Sequence, residues 1–193
     1  MGKIIKLKNM IIIGAEGRNA GKTEFACKLI NKFKSQHNII GIKVTTILKR
    51  DGKCPRGGEG CGVCSSLKGN YEITEEKDLS LKKDTSRLLR AGAEKVFWLR
   101  VMKSNLHEGF SALLKMINSE SILVCESNSL RHIVEPGLFL MARVKNSDNC
   151  KESANEVKMF ADQIIDFDGS NYNFDINHIN IFNGKWMINA GLI

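Results

Sequence analysis

Short apolar runs alternate with segments of helical periodicity along most of this chain. The apolar runs predict six strands, over residues 10–14, 38–45, 95–101, 121–125, 138–144 and 163–167. Apolar residues that recur every three to four positions predict helices over 21–34, 79–92, 105–117 and 153–161. Strands that alternate with helices form a parallel sheet covered on both faces. The pattern therefore predicts an α/β fold, a three-layer sandwich with a mostly parallel sheet.

The C-terminal segment has a different pattern. Residues 172–188 alternate apolar and polar positions around Asn183-Gly184, a dipeptide that favours a tight hairpin turn. We therefore expect a C-terminal β-hairpin. A chain of 193 residues is long enough for one domain with a substantial core, so we expect a single domain over residues 1–193. A loop insertion is expected at about 51–69, and the only two prolines, Pro55 and Pro136, are expected in loops.

The segment between the first predicted strand and the first predicted helix indicates phosphate binding. It reads Gly14-Ala15-Glu16-Gly17-Arg18-Asn19-Ala20-Gly21-Lys22-Thr23. A glycine-rich turn before Gly-Lys-Thr is typical of a P-loop, in which backbone N–H groups and a helix N-terminus attract phosphate. The strict pattern has a glycine where Glu16 stands, so either the turn is distorted or Gly17 supplies the flexibility.

We expect this turn to bind a nucleoside triphosphate. The predicted contacts are Gly17, Arg18, Asn19, Ala20, Gly21, Lys22, Thr23 and Glu24. Lys22 would reach the β- and γ-phosphates, and the Thr23 hydroxyl would hold Mg²⁺. The alternative is a helix that happens to begin with Gly-Lys-Thr, which the apolar run before it argues against.

A second acidic group is expected near the triphosphate. Glu126 follows the apolar run 121–125, and ligands of parallel sheets bind at the carboxyl ends of the strands. A carboxylate there can hold Mg²⁺ or orient an attacking water. The alternative is a solvated residue, but Asn128 and Ser129 extend the polar cluster and favour a site. Thr45 and Lys145 also fall at predicted strand ends.

The helix predicted over 79–92 carries Asp84, Arg87 and Arg90 at a spacing of three residues. Such spacing places them on neighbouring positions of one face. Periodicity alone favours a solvated face with ion pairs.

Four segments, taken in order, resemble the MobB family, the molybdopterin-guanine dinucleotide biosynthesis protein B group. They are NAGKT at 19–23, GIKVTTI at 41–47, KDTSRLLRAGAEKV at 83–96 and ILVCESNS at 122–129. The positions that match the family's pattern are Lys43, Asp84, Thr85, Arg87, Ala91, Gly92, Ala93 and Glu126. The helix segment is more distinctive than the P-loop.

The resemblance implies a P-loop NTPase that binds GTP and Mg²⁺, with weak hydrolysis. It implies homodimers and a protein partner, the guanylyltransferase that makes the molybdenum-cofactor dinucleotide. In this interpretation Lys22, Glu126 and Asp84 are catalytic, whereas Lys43 and Arg87 contact the nucleotide. The guanine motif Asn-Lys-x-Asp is absent, and Asp148 is the candidate contact to the base, so guanine preference depends on the resemblance and ATP stays an alternative.

Three of the six cysteines, Cys54, Cys61 and Cys64, lie within one glycine-rich segment. Their spacing suits one zinc ion or an iron–sulfur cluster. A tetrahedral zinc would need a fourth ligand, from His107, Cys150 or a partner chain. The alternative is a flexible loop with free thiols. Cys27 and Cys125 are expected to be buried and inert.

Composition narrows the classes of protein. The formal net charge of +8 suits anionic nucleotides. The basic residues are scattered, so we do not expect nucleic-acid binding. Neither a membrane-spanning run nor a signal-peptide pattern is found, which predicts a cytoplasmic protein.

Two other functions stay open at this point. One is a small-molecule kinase, with Asp84 or Glu126 as the base and Arg87 or Arg90 as phosphate clamps. The other is a metallocentre-insertion NTPase that carries its cargo on the cysteine loop.

Overall fold

Seven strands form one sheet in the computed structural model, which describes residues 3–48, 67–146 and 150–189. These strands are β1 (Ile5–Ala15), β2 (Ile39–Ile47), β3 (Tyr71–Glu75), β4 (Lys95–Met102), β5 (Ile122–Glu126), β6 (Val134–Val144) and β7 (Gln163–Phe167). A separate hairpin consists of β8 (Ile179–Phe182) and β9 (Lys185–Ile188). The α-helices are α1 (Lys22–Phe33), α2 (Asp84–Ala91), α3 (Leu106–Leu114) and α4 (Glu152–Asn155). Single 3₁₀ turns occupy Lys103–Asn105, Ser129–His132, Lys158–Phe160 and Ile176–His178.

The sheet order is β3-β4-β2-β5-β1-β6-β7. Only β3 is antiparallel to its neighbour, and the other strand pairs of this sheet are parallel. Strand β5 lies between β1 and β2, with Glu126 beside Ile13 on one side and beside Lys43 on the other. The carboxyl ends of β1, β2 and β5 therefore meet at one edge of the sheet.

Alternate side chains of the central strands supply two apolar cores, one on each face. Ile11 and Ile13 belong to the core that also contains Phe25 and Leu29 of α1 and Leu88 of α2. Met10 and Ile12 belong to the core that contains Phe110 and Leu113 of α3. Helices on both faces of a sheet make the three layers that the sequence predicts, so this part of the fold prediction is confirmed.

The C-terminal hairpin is also confirmed. Asn183 and Gly184 join β8 to β9 with φ angles of 49° and 70°. Positive φ at both central residues is what a type I′ turn requires. The hairpin packs on the first core through Ile179 and Trp186.

Several elements differ from the predictions. Strand β3 was not expected, because its sequence YEITE has no apolar run. Strand β1 starts earlier than residue 10, since Ile5 pairs with Val134. Helix α2 begins at Asp84 rather than at Leu79, which is 54% exposed and lacks a core to pack on. The helix predicted over 153–161 is divided into α4 and a 3₁₀ turn.

Pro136 was expected in a loop, but it lies inside β6 and pairs with Leu7. Strand β7 pairs with β6 only from Leu140 onward, so Pro136 has a strand neighbour on one side. A proline is tolerated in such a position because it needs no donor on the open side. The next residue, Gly137, approaches the backbone so closely that a Cβ would lie 2.2 Å from the Lys8 carbonyl oxygen.

None of the helices in the described part of the chain is long and apolar enough to cross a membrane.

Candidate functional site

The turn between β1 and α1 has two residues with positive φ, Asn19 at 56° and Gly21 at 74°. Gly21 is the N-cap residue of α1. A Cβ at Gly21 would lie 2.5 Å from the Tyr172 hydroxyl, so both the conformation and the space require glycine. The turn thus directs the start of α1 toward the carboxyl edge of the sheet.

Tyr172 fixes this turn from the C-terminal segment. Its hydroxyl donates to the Gly21 carbonyl oxygen at 2.6 Å. Its ring lies between those of Phe25 and Phe167, at centroid distances of 5.0 and 4.9 Å. Burial raises the pKa of Tyr172, with Glu24 adding to the effect, so the phenol stays protonated and remains a donor. Tyr172 was not predicted as a site residue, because an isolated tyrosine 151 positions from Gly21 carries no local signal.

Asn128 hydrogen-bonds Ala15, the last residue of β1. Its Oδ1 accepts from the Ala15 N–H at 2.8 Å, and its Nδ2 donates to the Ala15 carbonyl at 2.9 Å. The Asn128 side chain therefore hydrogen-bonds both backbone groups of Ala15, as a neighbouring strand would. The polar cluster after β5 was predicted, but this positioning role was not.

Glu126 is the buried acid of the site. The Thr23 hydroxyl donates to its Oε2 at 3.1 Å. The side chain is only 4% exposed, and its Oε1 has no hydrogen-bond partner among the described residues. Burial raises the pKa of Glu126, and the nearby Asp84 charge raises it further, while Lys22 and Lys43 act in the opposite direction.

Asp84 lies beside Glu126, but its pKa is shifted in the opposite direction, below the ordinary value. It is the first residue of α2, and its Oδ2 accepts a short contact from the Lys43 ammonium. Burial alone would raise the pKa of Asp84, but the charge and hydrogen bond of Lys43 lower it, with help from Thr23 and Lys22. Asp84 therefore stays ionised, and two carboxylates with different environments share one site.

A cleft of about 570 Å³ opens at these groups. Lys22, Lys43, Asp84 and Glu126 line it at the carboxyl edge of the sheet. Side-chain hydroxyls from three elements also line it, those of Thr45, Thr46, Ser127, Ser129 and Ser153. Lys103, Lys151, Glu152 and Glu156 line it as well. The cleft is therefore polar and carries both signs of charge.

A second cavity, of about 400 Å³, lies on the other side of Arg18. Its lining consists of Glu16, Gly17, Arg18, Arg143, Val144, Cys150 and Lys151. The turn thus separates two concave surfaces, one beside β2 and β5 and one beside the end of β6.

Two predicted residues of α2 lie away from Glu126. Arg87 donates to Glu24 of α1 at 2.7 Å, which ties α2 to the first turn of α1. Arg90 donates to the carbonyl oxygens of Leu79 and Leu81, the second at 2.7 Å. The Asp84, Arg87 and Arg90 side chains therefore make three separate contacts.

Cys54, Cys61, Cys64 and Asp148 lie outside the described residues, so the metal-loop and base-contact predictions stay predictions. Cys125 is fully buried, as expected, and burial raises its pKa. Cys27 is half-buried rather than buried, and desolvation still raises its pKa to about 11. Neither thiol is a reactive thiolate at neutral pH.

The donor set of the site fits Mg²⁺. In residues 3–48, 67–146 and 150–189, no three histidine, cysteine, aspartate or glutamate side chains gather closely enough to hold a metal ion. Mg²⁺ typically takes one or two carboxylates, and phosphate and water oxygens complete its shell. Glu126 Oε1, which has no hydrogen-bond partner among the described residues, and the Thr23 hydroxyl oxygen would supply such oxygens.

Comparisons with protein-family models, curated proteins and solved structures gave no match to this chain. The functional conclusion therefore depends on the geometry of the site and on the four resembling segments.

Proposed function

We propose that this chain is a P-loop NTPase that binds a nucleoside triphosphate with Mg²⁺ and hydrolyses it slowly. The observation that carries the proposal is the contact of Thr23 with the buried, half-paired Glu126, directly beside Lys22. A buried carboxylate that lacks a partner is costly unless a ligand completes its surroundings. Phosphate at the N-terminus of α1 and a cation at Glu126 would do so.

Each group has a distinct role in this proposal. The turn 16–21 and Lys22 bind the phosphates, and the Thr23 hydroxyl and Glu126 hold the metal. Bound Mg²⁺ supplies charge neutralisation for the transferred phosphoryl group. Glu126 also positions the attacking water, while Asp84 keeps Lys43 near the γ-phosphate position. Tyr172 and Asn128 keep the turn in its binding conformation.

The first prediction is that Lys22→Ala abolishes triphosphate binding and leaves the fold intact. Lys22 supplies a charge to the phosphates and belongs to neither apolar core. The loss should exceed tenfold in Kd, about 1.4 kcal/mol or more. Calorimetry with Mg²⁺ and a non-hydrolysable triphosphate analogue measures it, and circular dichroism checks the fold.

The matched control is Lys115→Ala, an exposed lysine after α3 that should bind the analogue like the wild type. Wild-type affinity in Lys22→Ala would remove the P-loop proposal.

Base and pathway form the finer part of the proposal. We propose that the base is guanine and that the chain assists molybdenum-cofactor dinucleotide assembly as a homodimer with a guanylyltransferase. This part is supported by the MobB-like segments alone. The same calorimetry with GTP and ATP analogues tests it, since equal affinity for both would contradict the guanine assignment.

One observation favours the kinase alternative. Ser129, Ser153 and Glu156 also line the cleft, and their hydroxyl and carboxylate groups are suited to contact a second reactant. In that case turnover would rise sharply when the acceptor is added, whereas an accessory NTPase keeps its low rate.

A further inference from the structure

Lys43 lies close to both carboxylates of the site, those of Asp84 and Glu126. It lies directly opposite Glu126 on the neighbouring strand, and its ammonium contacts Asp84 Oδ2. Asp84 begins α2, so the contact joins a helix terminus to the centre of the sheet. The Lys43 ammonium is therefore near carboxylates from two elements, α2 and β5.

The two carboxylates also line the same cleft. Glu126 Oε1 is buried and has no hydrogen-bond partner among the described residues. Asp84, Glu126 and the Thr23 hydroxyl, which donates to Glu126, therefore share one site. In the nucleotide-free chain, Lys43 supplies the positive charge there.

We propose that Asp84 and Glu126 together form a divalent-cation site, and that Lys43 acts as its resident cation until a triphosphate is bound. This goes beyond the proposed function, in which Thr23 and Glu126 hold Mg²⁺, by adding Asp84 as a ligand and Lys43 as the group that is displaced. It rests on that function for one step only, the attraction of Lys43 toward the γ-phosphate.

The arrangement has a consequence for the order of binding. A lysine ammonium and a divalent cation repel each other at such short range, so the free chain disfavours the metal. An arriving triphosphate adds negative charge, pairs with Lys43 and leaves Asp84 available. The metal then enters together with the nucleotide, and the chain does not collect divalent cations without it.

The test uses Mn²⁺ alone, without nucleotide, as a paramagnetic stand-in for Mg²⁺. Electron paramagnetic resonance measures free Mn²⁺ as it is titrated into wild type, Lys43→Met, Lys43→Arg and the double variant Lys43→Met/Asp84→Asn. Lys43→Met should bind one Mn²⁺ at least about tenfold more tightly than wild type, because the repelling charge is gone. Lys43→Arg should behave like wild type, and the double variant should lose the gain.

Two outcomes would overturn the proposal. One is a folded Lys43→Met, checked by thermal melting, that binds Mn²⁺ no better than wild type. The other is a double variant that binds as tightly as Lys43→Met, which would exclude Asp84 as a ligand. Lys43→Gln repeats the test with a polar side chain of similar length if the methionine variant does not fold.

The result is separable from the proposed function. No nucleotide is present in the titration, so a failure of triphosphate binding in the wild type would leave the Mn²⁺ comparison valid. Conversely, triphosphate binding that depends on Lys22, without the Lys43→Met gain, would retain the NTPase proposal and reject the resident-cation role.

Discussion

At the scale of residues, the site depends on two neighbouring acids with opposite pKa shifts. The pKa of Glu126 is raised by burial and by Asp84, whereas that of Asp84 is lowered by Lys43 despite partial burial. Both acids were predicted from the sequence as site residues, and both line the cleft. The sequence could not predict this difference, because the shifts depend on burial and on Lys43, which comes from a strand 41 positions away from Asp84.

The second prediction is that Glu126→Gln makes the nucleotide-free chain more stable at neutral pH. The folded pKa of Glu126 lies above its unfolded value, so ionisation destabilises the fold as pH rises through that window. Glutamine does not ionise, so its advantage should grow from about pH 4.5, the ordinary pKa, upward and vanish below it. Urea unfolding at several pH values measures this.

Hydrolysis should fall in the same variant if, as proposed, the carboxylate holds the metal and positions the attacking water. Glu120→Gln, an exposed acid before β5, is the matched control and should change neither quantity. Equal stability of Glu126→Gln and wild type at every pH would mean that ionisation of Glu126 does not destabilise the folded chain.

At the scale of elements, apolar runs predicted six strands of the sheet, and the alternation around Asn183-Gly184 predicted the hairpin. Neither pattern predicted the contacts that fix the turn between β1 and α1. Strand β7 and the hairpin turn were predicted because each has a clear local signal. The edge strand β3 was missed because its stability comes from pairing with β4, and pairing is not visible in a five-residue polar segment. The segment at Tyr172 is a similar case, since it acts through a backbone carbonyl of a distant element.

The third prediction concerns this connection between the C-terminal segment and α1. Tyr172→Phe removes the donor to the Gly21 carbonyl and should cost about 1 kcal/mol of unfolding free energy. It should also weaken triphosphate binding, because the carbonyl of the N-cap residue Gly21 then loses the Tyr172 hydroxyl and is left with the Phe25 N–H as its donor. Urea unfolding and calorimetry with the triphosphate analogue measure the two effects.

Tyr71→Phe, on the edge strand β3, provides the comparison and should leave triphosphate affinity unchanged. A Tyr172→Phe variant with wild-type stability and affinity would show that the hydroxyl does not position the turn.

At the scale of the whole molecule, the strand order creates the site. Local patterns predict that strands exist, but they do not predict that β5 lies between β1 and β2. That insertion sets Glu126 between the end of β1 and Lys43. The carboxyl-end rule for parallel sheets predicted the edge at which the candidate residues lie, and long-range pairing decides which of them meet there.

The last prediction is that a substitution in the hairpin lowers the stability of the fold without changing triphosphate affinity. Trp186 of β9 is 3% exposed, packs edge-on against Phe33 at 5.2 Å and donates to the Asn9 carbonyl at 3.1 Å. These contacts lie on the far half of α1 and on the middle of β1, away from Lys22. Trp186→Ala should therefore cost about 3–5 kcal/mol of unfolding free energy through lost packing.

Triphosphate affinity of Trp186→Ala, measured well below its melting temperature, should equal that of wild type. Phe182→Ala on the same hairpin is the matched control, since Phe182 is 65% exposed and its removal should change stability by less than about 0.5 kcal/mol. If Trp186→Ala stays folded but loses affinity, the hairpin positions the turn between β1 and α1. If it keeps affinity and loses stability, the hairpin closes the core beneath α1, and the site depends on the carboxyl edge of the sheet, on Asn128 and on Tyr172.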